Sequence, residues 1–205
     1  MPSAKFPKRK FVSVDPLKCT GCGICEYTCS QEKGEALWNP LHSRIRVVRM
    51  KPLFNFALAC RACDDAKCVS ACPEKALSQH EETGILMVSE KKCKGCDWCV
   101  QACPHGGIAI HSDTGLAAAC DLCGGEPQCI EFCPEEALTL VATDEEAEKL
   151  MSDTIAKLPE ETERITNIVK NKDWKPILAD AEKRSEKVSE KLEALSKKGK
   201  TKKSK

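Results

Sequence analysis

The sixteen cysteines of this 205-residue chain fall into four groups of four, and this grouping limits the fold more than any other feature. The first group is Cys19-x2-Cys22-x2-Cys25-x3-Cys29. The second is Cys60-x2-Cys63-x4-Cys68-x3-Cys72-Pro73. The third is Cys93-x2-Cys96-x2-Cys99-x3-Cys103-Pro104. The fourth is Cys120-x2-Cys123-x5-Cys129-x3-Cys133-Pro134, and no cysteine is left over. Against them stand only three Trp, one Tyr and five Phe. A chain this rich in thiols and this poor in aromatics is not held by a conventional apolar core. It is held by bonds that cysteine makes: disulfides, structural zinc or iron–sulfur clusters.

The compartment separates these. The charged start of the chain is followed by no apolar run, so no secretory signal is expected, and Lys8-Arg9 lacks the hydrophobic stretch of a twin-arginine leader. The longest apolar runs, such as Ile85-Leu86-Met87-Val88, fall far short of the ~20 residues that span a bilayer. The expectation is a cytoplasmic chain with no membrane span. Sixteen thiols in a reducing compartment argue for metal over disulfides.

The run C-x2-C-x2-C-x3-C-P is the bacterial ferredoxin spacing. Three closely spaced thiolates on a tight loop wrap one cubane. The fourth leads a short helix away and ligates the other cluster of a pair, and the Pro redirects the chain. Gly21, Gly23 and Gly95 let the loop pass close and aim amides at sulfur. Zinc needs only two separated pairs of ligands and fits four such groups poorly. No group is incomplete, so four 4Fe–4S clusters are expected. Which groups pair is left open by spacing. The turn signal Glu81-Glu82-Thr83-Gly84 and the strand-like run after it, between Cys72 and Cys93, favour second with third and hence first with fourth. Sequential pairing stays possible.

The unequal spacers set between two regular runs, Cys120-Asp121-Leu122-Cys123, and Ser43-Arg44-Ile45-Arg46-Val47-Val48-Arg49 resemble a known family. It comprises the four-cluster electron-transfer subunits of molybdenum and tungsten oxidoreductases, among them the dimethyl sulfoxide reductase iron–sulfur subunit and the tungsten aldehyde oxidoreductase small subunit. The resemblance covers about residues 11–141, and Asn39-Pro40-Leu41-His42 places it nearest the aldehyde oxidoreductase branch. It implies an α+β fold of two ferredoxin-like modules with an inserted β-hairpin, nested pairing, and a roughly linear wire. It implies one 4Fe–4S cluster on Cys19, Cys22, Cys25 and Cys133, and a second on Cys120, Cys123, Cys129 and Cys29. A third would sit on Cys60, Cys63, Cys68 and Cys103, and a fourth on Cys93, Cys96, Cys99 and Cys72. Ser30 departs from the motif where the other groups have Pro, which touches the chain exit and not the ligand.

Other residues carry weaker signals. Arg44 to Met50 reads as one strand of the inserted hairpin. Its arginines belong to a solvated face, with partner contact or charge screening as the alternative. His105 is a spare metal-ligating type beside a complete group, and Trp98 is expected to shield a cluster from water. Beyond Val141 the cysteines stop and the period becomes helical. Thr143-x-x-Glu146 is a capping box, and Ala147, Leu150, Met151, Ile155 and Leu158 line one face up to Pro159. A second short helix is expected around Ile165, Ile168 and Val169. A third is expected from Pro176, with the seam Leu178, Ala181, Ser185, Val188, Leu192, Leu195. This extension, 142–196, is expected to dock on a partner or self-associate. Residues 1–10 and 197–205 read as basic, disordered tails.

Function follows by exclusion. There is no nucleotide loop, no catalytic nucleophile or acid–base pair, and no basic stripe with aromatics that would suit nucleic acid. The chain is expected to move single electrons without substrate chemistry. What the resemblance and the helical tail imply, as the first reading, is the iron–sulfur subunit of an oxidoreductase in anaerobic metabolism, bound to a large catalytic subunit with tungsten or molybdenum. Its electrons would be exchanged with a ferredoxin or a flavin subunit. The alternative is a free-standing polyferredoxin, and a distant third is a cluster-maturation scaffold. The formal charge of +1 becomes about −7 if four clusters, each −2 with its thiolates, are added.

Overall fold

A computed structural model describes residues 5–33, 39–50 and 54–202. Side chains are described for these except Phe54, Leu192 and 194–202. Strand β1 (Phe11–Val14) precedes the first cysteine group, and β8 (Leu138–Val141) follows the last. The two pair antiparallel, with Phe11 opposite Val141 and Val14 opposite Leu138. The ends of the cysteine region are thereby joined. Between them run α1 (Ile24–Lys33), a 3-10 turn at Pro40–His42, and the hairpin β2 (Arg46–Met50) with β3 (Phe54–Leu58). Then come α2 (Lys67–Ser70), hairpin β4 (Leu77–Gln79) with β5 (Leu86–Val88), and α3 (Trp98–Gln101). Hairpin β6 (Ile108–Ile110) with β7 (Ala117–Ala119) and then α4 (Gln128–Glu131) complete the series.

Packing divides these elements into two halves. In one, α1 lies on α4 and β1 contacts β3, around Val12, Val14, Ile45, Leu122 and Leu138. In the other, α2 lies on α3 and β5 meets β7, around Leu77, Leu86 and Ile108. Cysteine and alanine supply much of both cores. The mixed helix-and-strand, ferredoxin-like class expected from the sequence is the class observed.

The C-terminal part differs from expectation. Two long helices form, α5 (Asp144–Asn171) and α6 (Lys175–Lys202), where three were predicted. Pro159 lies inside α5. A proline there removes one N–H and strands the carbonyl four residues earlier. That residue is Ile155, 59% exposed, so water can satisfy the group. The buried stripe runs through Ala147, Thr154 and Ile168, passing Thr154 and not Ile155. The Thr154 hydroxyl meets its own need by donating to the Leu150 carbonyl at 3.0 Å. Thr143 closes the predicted capping box with Glu146, and Lys172 ends the helix left-handed at φ 52°. The seam proposed for α6 is largely exposed where described, with Leu178 at 61%. Leu192 and Leu195 lie outside the described side chains. Helix α6 continues into the Lys-rich end, contrary to a disordered tail from 197.

Residues 5–10 are also not a free tail. Phe6 and Arg9 are buried, and the Lys8 N–H donates to the Glu82 carbonyl at 2.9 Å. Phe11 is fully buried beneath the Arg9 guanidinium, whose carbon lies 4.9 Å from the ring centre. Burying a side chain of that size stabilises by roughly 1.5–3 kcal/mol. With Val141 and Ala147 it forms the small cluster that seats α5 on the sheet.

Candidate metal centres

The four cysteine groups share one local backbone. The second residue after each leading cysteine is left-handed: Gly21 (φ 71°), Ala62 (φ 50°), Gly95 (φ 63°) and Leu122 (φ 57°). Glycine adopts this freely and other residues at a cost. The kink turns amides toward sulfur. Gly21 N–H faces Cys19, Ala62 N–H faces Cys60, and Leu122 N–H faces Cys120. Each Cys-Pro ends a four-residue helix. Ala76, Gly107 and Ala137 then each donate an N–H at 3.3 Å to Cys72, Cys103 and Cys133 respectively. Glycine 95 was readable as a close-approach residue. Ala62 and Leu122 in the equivalent place were not, since nothing in their side chains signals positive φ.

Three cavities gather the thiols. One is lined by Cys19, Cys22, Cys25 and Cys133, with Val47, Ala57 and Leu138 as apolar wall. A second is lined by Cys60, Cys63, Cys68 and Cys103, with Leu86 and Ile108. A third is lined by Cys93, Cys96, Cys99 and Cys72, with Leu77 and Ile110. The remaining thiols face one another. Cys129 is pushed up to about 12 by burial and then by Cys120, Cys29 and Cys123. Each set therefore joins three cysteines of one group to the last of another. Among the described residues no three Cys, His, Asp or Glu side chains close on a point that one metal ion could occupy. The thiols ring a space instead.

The sets are also neighbours. Burial raises Cys25, and the next cause is Cys129 of the adjoining set. Burial pushes Cys60 up to about 12, with Cys120 among the charges that add to it. Exposure differs among the sets. Cys22 and Cys96 are exposed, whereas Cys63 and Cys123 are half-buried. Trp98 beside Cys96 is 58% exposed and is not among the residues lining the third cavity.

Cations surround the sites from inside the chain. Arg49 donates from Nε to the Gly21 carbonyl at 2.8 Å and pairs with Glu26 at 3.1 Å. Arg44 meets Asp121 at 2.7 Å and Lys33 meets it at 2.9 Å. Burial pushes the Asp121 carboxyl up, but Lys33, the Cys123 N–H and Arg44 outweigh it and hold its pKa low. Arg46 donates to the carbonyls of Pro40, Leu41 and Ser43. The hairpin arginines are thus largely spent on the chain itself. Lys191 of α6 donates to the Cys133 carbonyl. His105 lines the second cavity, where burial and then Arg61 lower its pKa, and four thiols are complete without it.

Four thiols with apolar walls and inward amides are the donor chemistry of a 4Fe–4S cluster, and comparison with known proteins agrees. Residues 52–143 match a family model described as a 4Fe-4S dicluster domain. A polyferredoxin-like subunit of aliphatic sulfonate oxidoreductase from Pyrococcus furiosus is 41% identical over 142 residues, which cover 68% of this chain and 82% of that one. The beta subunit of NADH-dependent phenylglyoxylate dehydrogenase from Aromatoleum evansii is 38% identical over 136 residues, 64% of this chain but only 30% of that longer one. The electron transfer subunit of thiosulfate reductase from Salmonella typhi is 34% identical over 149 residues, 64% of this chain and 74% of that one. The chain belongs to the ferredoxin-type 4Fe–4S electron-transfer subunits of oxidoreductases, and is not itself the catalytic component.

Proposed function

We propose that the chain carries four 4Fe–4S clusters in nested sets and conducts electrons for a fixed catalytic partner in the cytoplasm. The observation that carries this is the lining of the three cavities, each by three cysteines of one group and the closing cysteine of another. The fourth set, Cys120, Cys123, Cys129 and Cys29, rests on the packing of Cys29, Cys129 and Cys120 in one cluster and on the closeness of Cys29 to Cys123. When bound, such clusters supply reversible one-electron storage, typically near ~−400 mV in ferredoxin-type sites. The residues do the rest. Thiolates hold, inward amides offset the charge gained on reduction, and apolar walls exclude water. Exposed Cys22 and Cys96, in two different sets, support entry at one of these sets and exit at the other. The domain limits we propose, 11–141 for the cluster region and 142–196 for the helical extension, are supported by the end of the cysteines and of β8 at Val141.

The partner we propose is a tungsten- or molybdenum-containing large subunit of the aldehyde oxidoreductase type, with a ferredoxin or flavin subunit as the second exchange partner. The sulfonate oxidoreductase relative makes an aliphatic sulfonate the first alternative substrate to assay. Against a free-standing polyferredoxin stands the long helical pair α5–α6, which a diffusing carrier does not need. Anaerobic native purification tests both levels. About sixteen irons and sixteen sulfides per chain, four of each per cluster, are expected with a stoichiometric large subunit. Fewer irons refute the four-cluster count, and a partner-free protein that reduces several enzymes refutes the subunit reading.

A further inference from the structure

The most buried cation described in the chain lies outside every cysteine group. Arg9 keeps 5% of its side chain exposed. Its Nε and Nη2 donate to the Arg61 carbonyl at 3.2 and 3.1 Å, and Nη2 also reaches both Asp144 carboxylate oxygens at 3.1 and 3.0 Å. The segment bearing it is pinned. Lys8 pairs with Glu82 at 2.8 Å, Lys5 donates to the Asp64 carbonyl at 3.3 Å, and Phe6 fills the place a side chain at Gly84 would need, 2.6 Å from a Cβ there. The charged and titratable groups facing Arg9 are Arg61, 3.8 Å from Asp144, Asp144 itself, His105 and Cys63.

The accepting peptide matters. A trans peptide points its C=O and N–H in opposite directions. The peptide whose carbonyl takes Arg9 is Arg61–Ala62, and its N–H, on Ala62, faces the Cys60 sulfur. A cation on one end polarises the donor at the other. A guanidinium stays charged at any working pH, and in a buried setting its field acts through an effective dielectric near ~20, not ~80. Reduction adds one negative charge to a cluster, so this cation favours the reduced form.

We infer that Arg9 sets the potential of one site: clamped by Asp144 and seated on the Arg61 carbonyl, it raises the reduction potential of the cluster at Cys60, Cys63, Cys68 and Cys103. The inference rests on the four-cluster reading. A mere staple between the N-terminal segment and α5 would act through structure alone, and the two roles differ in sign. Arg9→Gln removes the cation. The reduced-to-oxidised ratio at that site should fall about tenfold at fixed poise, about 59 mV for a one-electron couple. Asp144→Asn removes the opposing anion and should shift the same site upward, by less because Asp144 is 45% exposed. Arg9→Lys keeps the charge and should stay within about threefold.

The measurement is an anaerobic redox titration of the cluster-loaded full chain, followed by electron paramagnetic resonance. One of four waves moving down in Arg9→Gln and up in Asp144→Asn supports the assignment. Shifts of the same sign, no shift, or all waves moving together overturn it. If Arg9→Gln does not load clusters, Asp144→Asn decides alone, and a downward or absent shift overturns the inference. Iron and sulfide content, measured on wild type, fails or passes the four-cluster count independently of the sign.

Discussion

Gly95→Ala separates backbone strain from steric overlap at a cluster loop. The equivalent left-handed position holds Ala62 in the second group and Leu122 in the fourth. Alanine is therefore tolerated by this backbone, at about 1–2 kcal/mol. What singles out Gly95 is its neighbour. A Cβ there would lie 2.2 Å from the Gly115 carbonyl oxygen, so backbone must move by about 1 Å to restore contact. The β6–β7 turn cannot yield freely, because Gly115 N–H donates to the His111 carbonyl and His111 N–H to the Leu116 carbonyl, both at 2.9 Å. Overpacking of this kind adds about 1–3 kcal/mol, for a total of about 2–5 kcal/mol. Gly124→Ala is the matched control. It too is left-handed, at φ 73°, but nothing lies within 4 Å of its Cβ, so only the strain remains. Anaerobic guanidinium unfolding of the cluster-loaded chain, read by cluster absorbance, should show the larger drop for Gly95→Ala. A drop no greater than that of Gly124→Ala refutes the steric argument.

Other perturbations follow from single contacts. Thr143→Ala removes the hydroxyl that accepts the Glu146 N–H at 3.2 Å and should cost about 1 kcal/mol, seen as faster amide exchange in the first turn of α5, with Thr143→Ser restoring it. Ser30→Ala removes the acceptor of the Asn39 N–H at 3.1 Å in a fully buried place and should cost about 1–3 kcal/mol; Ser30→Pro, inside α1, should cost ~3 kcal/mol or more, both read by the same unfolding midpoint. In the metal-free chain burial pushes Cys68 and Cys120 up to about 11 and Cys60 and Cys129 up to about 12. Folded thiols then stay protonated where unfolded ones ionise, so their contribution is intact below about 9 and is lost as pH climbs toward 11–12. Denaturant midpoints of the metal-free chain should fall across that window, and a flat profile would show that the thiols are not buried without metal.

The cysteine chemistry was legible because ligand spacing is written in sequence: three ligands on a loop, one after a short helix. The pairing of groups was not settled by spacing, since sequence carries no distances. The β1–β8 ladder that joins Phe11 to Val141 is a long-range fact. Period misled at Ile155, because the true stripe tolerates a threonine that satisfies its own hydroxyl. Pro159 misled because the carbonyl it strands, on exposed Ile155, can reach water, which offsets part of the cost of a proline inside a helix. Charge misled at residues 5–10. Lys and Arg read as solvated, yet Arg9 is buried by a carboxylate 135 residues away that no local pattern announces.

Ser30 shows how one departure from a motif reorganises a fold. After Cys72, Cys103 and Cys133 a proline ends the helix, and the amide four residues past each cysteine is free to meet its sulfur at 3.3 Å. After Cys29 there is no proline, and α1 continues to Lys33. The corresponding amide is Lys33 N–H, which lies inside the helix. The sulfur's donor must come from elsewhere, and Arg44 supplies it at 3.2 Å. Ser30 itself arranges this. Its hydroxyl takes the Asn39 N–H, Asn39 caps the 3-10 turn at Pro40–His42 through Leu41 N–H, and the chain leaving that turn brings the Arg44 N–H to the sulfur. The residue that spoils the local amide contact thus anchors the inserted segment that replaces it. On this account the insert between the first two cysteine groups is a structural consequence of the missing proline as much as a site for partners.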